Sequence, residues 1–273
     1  MTRQLEIICI GNELLIGKIL NTNSQWIAKR ATSFGITVKR ITVVGDEINE
    51  IATATLEALR RKPRFVITTG GLGPTFDDKT LEGIATALKR KTEINKGALK
   101  MVREKYEAYA KQGRMETIEL TPPRIKMATL PKRAKPLHNP IGTAPGVLTK
   151  IKSTFLIALP GVPSEMEAIF ENSIAPMLKQ EAKDLIFVER SVFISNIMES
   201  TLAPLIDQTM HANANIYVKS HPKSEENTPH IELHFSTMAK NSENARTCLQ
   251  KAIAQLSELI EKNNGKIKTL NHG

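Results

Sequence analysis

The chain repeats one unit: a short aliphatic or β-branched run, a glycine, then apolar residues recurring every three or four positions. Leu5 to Ile10 ends at Gly11, and a helix capped by Asn21 or Ser24 carries Ile27, Ala31 and Phe34 before Gly35. Val38 to Val44 ends at Gly45-Asp46 and leads to Ile48, Ile51, Ala52, Leu56 and Leu59. Phe65 to Thr68 runs into Gly70, Gly71 and Gly73, then Leu81, Ile84, Ala85 and Leu88, with another helix continuing to about Lys111. Parallel strands need long crossovers, usually helical. The alternation therefore predicts an α/β fold, a mainly parallel sheet with helices on both faces. Val147 to Lys150 and Thr154 to Leu159 read as a hairpin, and Ser164 with Glu167 as a capping box opening a helix through Ile169, Phe170, Ile174 and Leu178.

Glycine and charge divide the chain at one place. Thirteen of the 15 glycines lie at or before Gly161, and none follows until Gly265. Residues 1–182 hold 28 Lys and Arg against 18 Asp and Glu, whereas 183–273 hold 10 of each. We therefore expect two domains, 1–182 and 183–273. A basic first domain attracts anions, nucleic acid or small phosphorylated ligands, unless its lysines serve only solubility. With aromatics at 4%, stacking platforms for nucleic acid are few, which favours the small ligand. No apolar run approaches the ~18 residues of a membrane span, and Glu6 interrupts any signal-peptide core. Cys9 and Cys248 each fall in apolar-patterned segments, so two buried free thiols, no membrane and a cytoplasmic setting are expected.

The second part reads strand (187–194), helix (198–209), strand (216–219), strand (231–237), helix (244–262), a small α+β module of KH-like βαββα order. It contains no Gly-x-x-Gly loop, which argues against nucleic-acid binding. His230 and His234, four residues apart on a strand, stand roughly 13 Å from each other, too far to share a metal.

The chemistry-bearing strings lie in the first part. Thr68-Thr69-Gly70-Gly71-Leu72-Gly73-Pro74-Thr75-Phe76-Asp77-Asp78-Lys79-Thr80 follows a strand and opens a helix. Its glycines let backbone amides cradle a phosphate at a helix N-terminus. Asp77 and Asp78 either cap that helix or hold a divalent cation beside the phosphate. Glu13 and Asp46, each just past a strand, either pair locally or converge with Asp78 into a carboxylate site for Mg²⁺. Two proline-glycine loops, with Asn139, Gly142 and Thr143 in one and Gly161 and Ser164 in the other, either grip a ribose or base or form tight turns.

Gly11-Asn12-Glu13-Leu14-Leu15 with Asn21-Thr22-Asn23, Val44-Gly45-Asp46, the thirteen-residue glycine string and Leu159-Pro160-Gly161-Val162-Pro163-Ser164-Glu165-Met166 together resemble the N-terminal region of the CinA family (competence/damage-inducible protein). That region belongs to the wider molybdopterin-binding fold. The resemblance covers about residues 4–262, KH-like module included. It implies a three-layer αβα domain, a metal-dependent ADP-ribose pyrophosphatase using Mg²⁺, Mn²⁺ or Co²⁺, and a homo-oligomer, expected as a dimer. Asp46 and Asp78 match the family's acidic positions, and Gly70, Gly71 and Gly73 its phosphate loop. Two departures stand out: Phe76 occupies a position where a polar or basic side chain is expected, and no C-terminal amidase domain, hence no nicotinamide mononucleotide deamidase activity, is expected.

In the expected mechanism the amides after Thr69, with Thr75, hold a phosphate, a cation on Asp78 with Asp46 or Glu13 neutralises it, metal-activated water attacks phosphorus, and Lys79 or another cationic side chain of the first domain stabilises the developing charge. Adenylyl transfer to molybdopterin and non-catalytic nucleotide sensing are the competing readings. For the oligomer, the apolar face of the last helix (Ala245, Cys248, Leu249, Ala252, Ile253, Leu256, Leu259, Ile260) either serves assembly or covers the module's own sheet.

Overall fold

A computed structural model describes residues 3–113, 119–183, 185–225 and 228–268. Its contacts separate two units, Met1–Thr32 with Ile36–Ala182, and Lys183–Gly273 with Ser33–Gly35. The first contains β1 (Gln4–Ile10), α1 (Asn12–Leu15), α2 (Thr22–Ser33), β2 (Thr37–Val44), α3 (Ile48–Arg60), β3 (Phe65–Thr69) and α4 (Thr80–Ala87). It continues through β4 (Thr92–Ile94), α5 (Lys96–Lys111), α6 (Pro122–Lys126), β5 (Thr129–Pro131), β6 (Lys135–Leu137), β7 (Gly146–Ile151) and β8 (Thr154–Leu159). It ends in α7 (Pro163–Ile169), a π-helical turn (Phe170–Ile174) and α8 (Ala175–Ala182).

The main sheet runs β2-β1-β3-β8-β7-β6. β2, β1, β3 and β8 are parallel, and β7 and β6 continue the sheet by antiparallel pairing. Strand alternation divides the core between two faces. Ile8, Ile10, Val66, Leu156 and Ala158 pack with Ile51 and Ala58 of α3, Ile84 of α4 and Val102 of α5. Ile7, Cys9, Phe65, Ile67, Ile157 and Leu159 are buried on the opposite face. There the Trp26 ring of α2 meets Phe170 edge-on, centroids 5.2 Å apart. This is the expected three-layer arrangement.

Asn21 caps α2: its Oδ1 accepts from the Ser24 N–H at 3.2 Å. The expected capping box at Ser164 and Glu167 does not form. α7 begins two residues earlier than that box would start it, at Pro163, with Val162 as N-cap and no side-chain cap bond. Proline at the first helical position brings a helical φ and has no N–H to satisfy, so the serine is not needed there.

The second unit has β9 (Ile186–Ser195), α9 (Glu199–Ala212), β10 (Ile216–Glu225), β11 (Thr228–Ala239), α10 (Ser242–Lys262) and β12 (Lys266–Lys268). Its antiparallel sheet, β10-β11-β9-β12, adds one short strand to the expected βαββα order. Leu249, Ala252, Leu256 and Ile260 of α10 pack with Val192, Leu233 and Phe235, so the helix's apolar stripe covers its own sheet. The buried stripe is narrower than the apolar one: Cys248, on its flank, is exposed, contrary to expectation, whereas Cys9 is buried. Burial pushes the Cys9 thiol pKa up. His234 Nε2 lies 2.9 Å from Glu189 Oε2, while the side chain of His230 lies outside the described ones.

Candidate functional site at the carboxyl edge of the sheet

Strand order fixes where a ligand goes. The chain passes from β1 out to β2 and returns across it to β3, so the direction of winding reverses between β1 and β3. In open α/β sheets the crevice beyond the carboxyl ends at such a reversal is where ligands bind. Cys9 pairs with Thr69, and Thr69 with Leu159, so Gly11, Gly70 and Pro160-Gly161 leave adjacent strands at one edge. β7 starts at this same edge, which brings the 138–145 loop alongside.

The glycine loop is clamped from both sides. Gly70 donates its N–H to Leu159 O at 3.0 Å, and Asn23 Nδ2 donates to Thr69 Oγ1 at 3.0 Å and Gly161 O at 2.8 Å. Thr80 Oγ1 donates to Gly70 O at 2.8 Å, tying the first turn of α4 to the loop. At Gly70, φ is +107°, and a Cβ there would sit 2.1 Å from the Ile10 carbonyl oxygen. Only glycine meets both conditions. Among the described residues the N–H groups of Gly71, Leu72 and Gly73 have no protein acceptor.

Neither aspartate caps α4, whose N-cap is Lys79. Asp78 instead closes a turn, Oδ2 accepting from the Thr75 N–H at 2.8 Å and from the Thr75 hydroxyl. The Thr75 hydroxyl, followed by other nearby donors and lysines, holds the Asp77 carboxyl below its usual range. Asp46 pairs locally: Oδ2 accepts the Asn12 N–H at 2.8 Å, and its own N–H donates to Asn12 Oδ1 at 3.4 Å. The Glu13 carboxylate lies against Gly11. The expected convergence of Glu13, Asp46 and Asp78 does not occur. Among the described residues no three His, Cys, Asp or Glu side chains gather as a metal-holding group. Asp46 follows β2 and Asp78 follows β3, two strands separated by β1, and Asp46 is held by Asn12 while Asp78 is held by Thr75.

Beside the glycine loop is a cavity of about 310 Å³, lined in part by Gly71, Gly73, Asp78, Glu82, Ile125 and Lys126. Sequence reading missed Glu82 and Lys126. Glu82 stands four residues after Asp78, one helical turn on, a spacing that could have pointed to it; Lys126 comes from a segment with no periodic signal. Lys126 Nζ donates to Thr75 O, so α6 supplies positive charge next to Phe76, which is 89% exposed. Lys79 does not line this cavity. Asp78 and Glu82 are hard oxygen donors, and two carboxylates completed by phosphate oxygens make an ordinary Mg²⁺ site, which needs no all-protein cage. The two acids of this lining are of the donor type that a cation shared with a phosphorylated ligand takes, and no three-carboxylate centre is present among the described residues.

The predicted binding residues of the second edge loop are also brought here. Asn139 is buried, its Oδ1 accepting from Ile141 N at 3.0 Å and Gly142 N at 2.8 Å. Its Nδ2 donates to Ala144 O at 2.8 Å and to Glu165 Oε2 at 2.7 Å, which joins the two proline-glycine loops. Gly142 lies against the Glu165 carboxylate, and Thr143 Oγ1 donates to Met127 Sδ at 3.6 Å. Gly161 and Ser164 are exposed.

A family model described as a probable molybdopterin binding domain matches residues 6–180. A protein of Pyrobaculum aerophilum is 46% identical over 258 residues, covering 93% of this chain and 93% of its own length. One of Sulfurisphaera tokodaii is 44% identical over 263 residues, covering 96% and 97%. Among solved structures, CinA from Thermoplasma acidophilum, described as having unknown function, superposes with a TM-score of 0.58 at 38% identity, covering 66% of this chain and 98% of that one. With the switch-point crevice and its glycine loop, these matches make the chain a CinA-like member of the probable molybdopterin-binding domain family.

Proposed function

We propose that the chain is a divalent-metal-dependent hydrolase of the diphosphate in ADP-ribose or a related dinucleotide. The carrying observation is the cavity beside the glycine loop after β3, where unspent loop amides, one lysine and two carboxylates share a lining. A volume of about 310 Å³ is within the range of small-ligand sites. Two carboxylates would repel a diphosphate unless a cation lay between them, so the acidic lining supports metal dependence.

Gly71, Leu72 and Gly73 would hold one phosphate through their N–H groups, and Lys126 would offset charge developing on it. Mg²⁺, Mn²⁺ or Co²⁺, held by Asp78 with Glu82, would neutralise the diphosphate. Water forms a bond to one phosphorus as the bridging P–O bond breaks, its proton passing to a carboxylate of the cavity, and AMP and ribose 5-phosphate leave. The family match favours a second reading, adenylyl transfer to molybdopterin. Incubation with ADP-ribose, or with molybdopterin and ATP, and each metal separates them. AMP with ribose 5-phosphate supports hydrolysis, adenylylated pterin supports transfer, and binding without turnover marks a sensor. Asp78→Asn should lower turnover by about 100-fold or more, since it removes a charge needed at the cation. Asn can still accept from Thr75, so the melting temperature should hold; undiminished turnover removes Asp78 from the mechanism.

We propose a homo-oligomer as well, with its contact away from α10. Leu15, Ile16, Ile19 and Leu20 are all exposed, and four large apolar side chains within six residues make a patch rather than scattered singletons. Ile16→Lys with Leu20→Lys should halve the mass seen by light scattering; a wild-type monomer overturns the assembly. Cytoplasmic residence fits the two free cysteines, and among the described residues no helix is long and apolar enough to cross a membrane.

A further inference from the structure

More than half of the surplus positive charge of residues 1–182 is gathered where the proposed reaction does not use it. Residues 88–98 and 128–138 hold seven Lys and Arg against a single acid, Glu93, a surplus of six out of ten. The fold brings the two stretches together. β4 and β5 pair antiparallel, Thr92 facing Pro131, and one step further the Lys132 N–H donates to Lys91 O at 2.9 Å. Arg90 Nη1 donates to Lys132 O at 3.2 Å, and a turn closed by the Ala134 N–H on Pro131 O at 2.9 Å carries Lys132 and Arg133. Lys89, Lys91, Lys132, Arg133 and Lys135 are exposed, and among the described residues none of these five has a carboxylate within ion-pair distance.

This basic track starts at the wall of the glycine-loop cavity. Thr92 of β4 and Thr129 of β5 line that cavity, and Lys91 directly precedes Thr92. Adjacent strand residues are about 3.3 Å apart, so the cations begin one residue from the lining and lead away from it along both chains. No residue of either stretch is aromatic, so a base finds nothing to stack on. Phosphates need no stacking, because exposed lysines and arginines neutralise a backbone charge by charge. The shortage of aromatics that favours a small ligand therefore argues against stacking, not against phosphate contact. An anionic membrane or an acidic protein would meet the same charges, but neither has a reason to begin at the cavity. A ligand whose phosphates continue past the diphosphate does, and a polynucleotide end has such phosphates where a free dinucleotide has none.

We infer that the chain acts on a diphosphate at the 5′ end of a polynucleotide, with Lys91, Lys132, Arg133 and Lys135 holding the phosphates that follow. The inference rests on the proposed hydrolysis and names its substrate class. Water adds to one phosphorus as the bridging P–O bond breaks, its protons pass to a cavity carboxylate and the departing phosphate, and AMP and a 5′-phosphorylated strand leave. The test compares AMP release in Mg²⁺ from ADP-ribose and from a short single strand, DNA or RNA, whose 5′-phosphate is joined to AMP through a diphosphate. At low salt kcat/KM should be about tenfold or more higher for the strand, and the larger gain names DNA or RNA as the source. Four neutralised phosphates predict that the strand's value falls by roughly 50-fold between about 50 and 200 mM salt. Lys91→Ser with Lys132→Ser leaves the backbone bonds of the ladder in place. It should lower the strand's kcat/KM by about tenfold at low salt, halve its salt dependence and leave ADP-ribose unmoved. Lys39→Ser with Arg40→Ser, which takes the same charge from the exposed part of β2, should do none of this. Equal kcat/KM for strand and ADP-ribose, a strand value untouched by the Lys91 and Lys132 substitutions, or an equal loss in the β2 variant overturns the inference and spares the diphosphate hydrolase. No AMP from any of the substrates overturns both.

Discussion

At the amino end of the six-stranded sheet, charge is met by charge. Glu6, 4% exposed, takes Arg61 through both carboxylate oxygens at 2.7–3.1 Å, while Arg64 pairs with Glu181 and lies 4.6 Å over the Phe155 ring. At the carboxyl end, amides and hydroxyls do the joining, Asn23 to Thr69, Thr80 to Gly70, Asn139 to its own loop and to Glu165, while Asp78 and Lys126, each bonded to Thr75, also line the glycine-loop cavity with Glu82. The same strands are thus finished in opposite ways. An end closed by ion pairs, even with Arg64 Nε buried and unpartnered, adds stability and keeps little to bind with. An end held open by glycines and neutral clamps keeps amides and carboxylates for a ligand.

Substitutions at the two ends should separate binding from stability. The largest effect is expected from Gly70→Ala. A Cβ 2.1 Å from the Ile10 carbonyl, at φ +107°, requires the loop or β1 to shift. Strain and overpacking together should cost about 3–5 kcal/mol, and phosphate binding should fall with the loop geometry. Chemical denaturation and ribose 5-phosphate titration check both, and a variant retaining full affinity would show that the loop conformation does not matter.

Arg61→Ala attacks the other end. It strands the buried Glu6 carboxylate, and because Arg61 is a third exposed the cost should fall below that of a fully buried pair, at about 2–3 kcal/mol. Ligand affinity at the carboxyl end, with the protein still folded at 25 °C, should stay within about twofold, the scale expected for distant independent sites. Loss of affinity as large as that of Gly70→Ala would erase the distinction between the ends.

The sequence showed this contrast only in part. Parallel strands and their glycine ends were legible because hydrophobic period and turn residues are local signals, and Phe65–Thr69 followed by Gly70 stands where those signals put it. The grouping of acids was not. Whether Asp46 meets Asp78 or Asn12 depends on strand order and register, and Asp46 resolves to Asn12. Lys126 was invisible because α6 spans five residues, the first two of them prolines, too short for a periodic pattern. Ser164 misled because a capping-box string carries no information about a proline already at the first helical position. On α10 the apolar stripe was read correctly, but its edge was not, since only the neighbouring sheet decides that Leu249 is covered and Cys248 is not.

The smallest expected effect tests whether burial, rather than pairing as such, makes the amino end stable. Arg30 of α2 grips Glu171 of the π-helical turn through both carboxylate oxygens, the Nη2 contact at 2.9 Å, a geometry comparable to that of Arg61 and Glu6. The two side chains are 37% and 39% exposed, so water screens them. The arginine's hydrogen bond, outweighing the cost of burial, holds the Glu171 carboxyl below its ordinary 4.5. A carboxyl with a depressed folded pKa contributes stability that is present above its unfolded value and is lost as pH falls through the folded one. Glu171→Gln should therefore cost less than about 1 kcal/mol at pH 7. The difference from wild type should shrink below pH 4.5 and vanish in stronger acid. Urea denaturation of both proteins at neutral and acid pH reads it directly. A cost at pH 7 equal to that of Arg61→Ala would mean that bidentate geometry stabilises irrespective of solvent, and the amino end would owe its role to the number of its ion pairs instead of to the depth at which Glu6 is held.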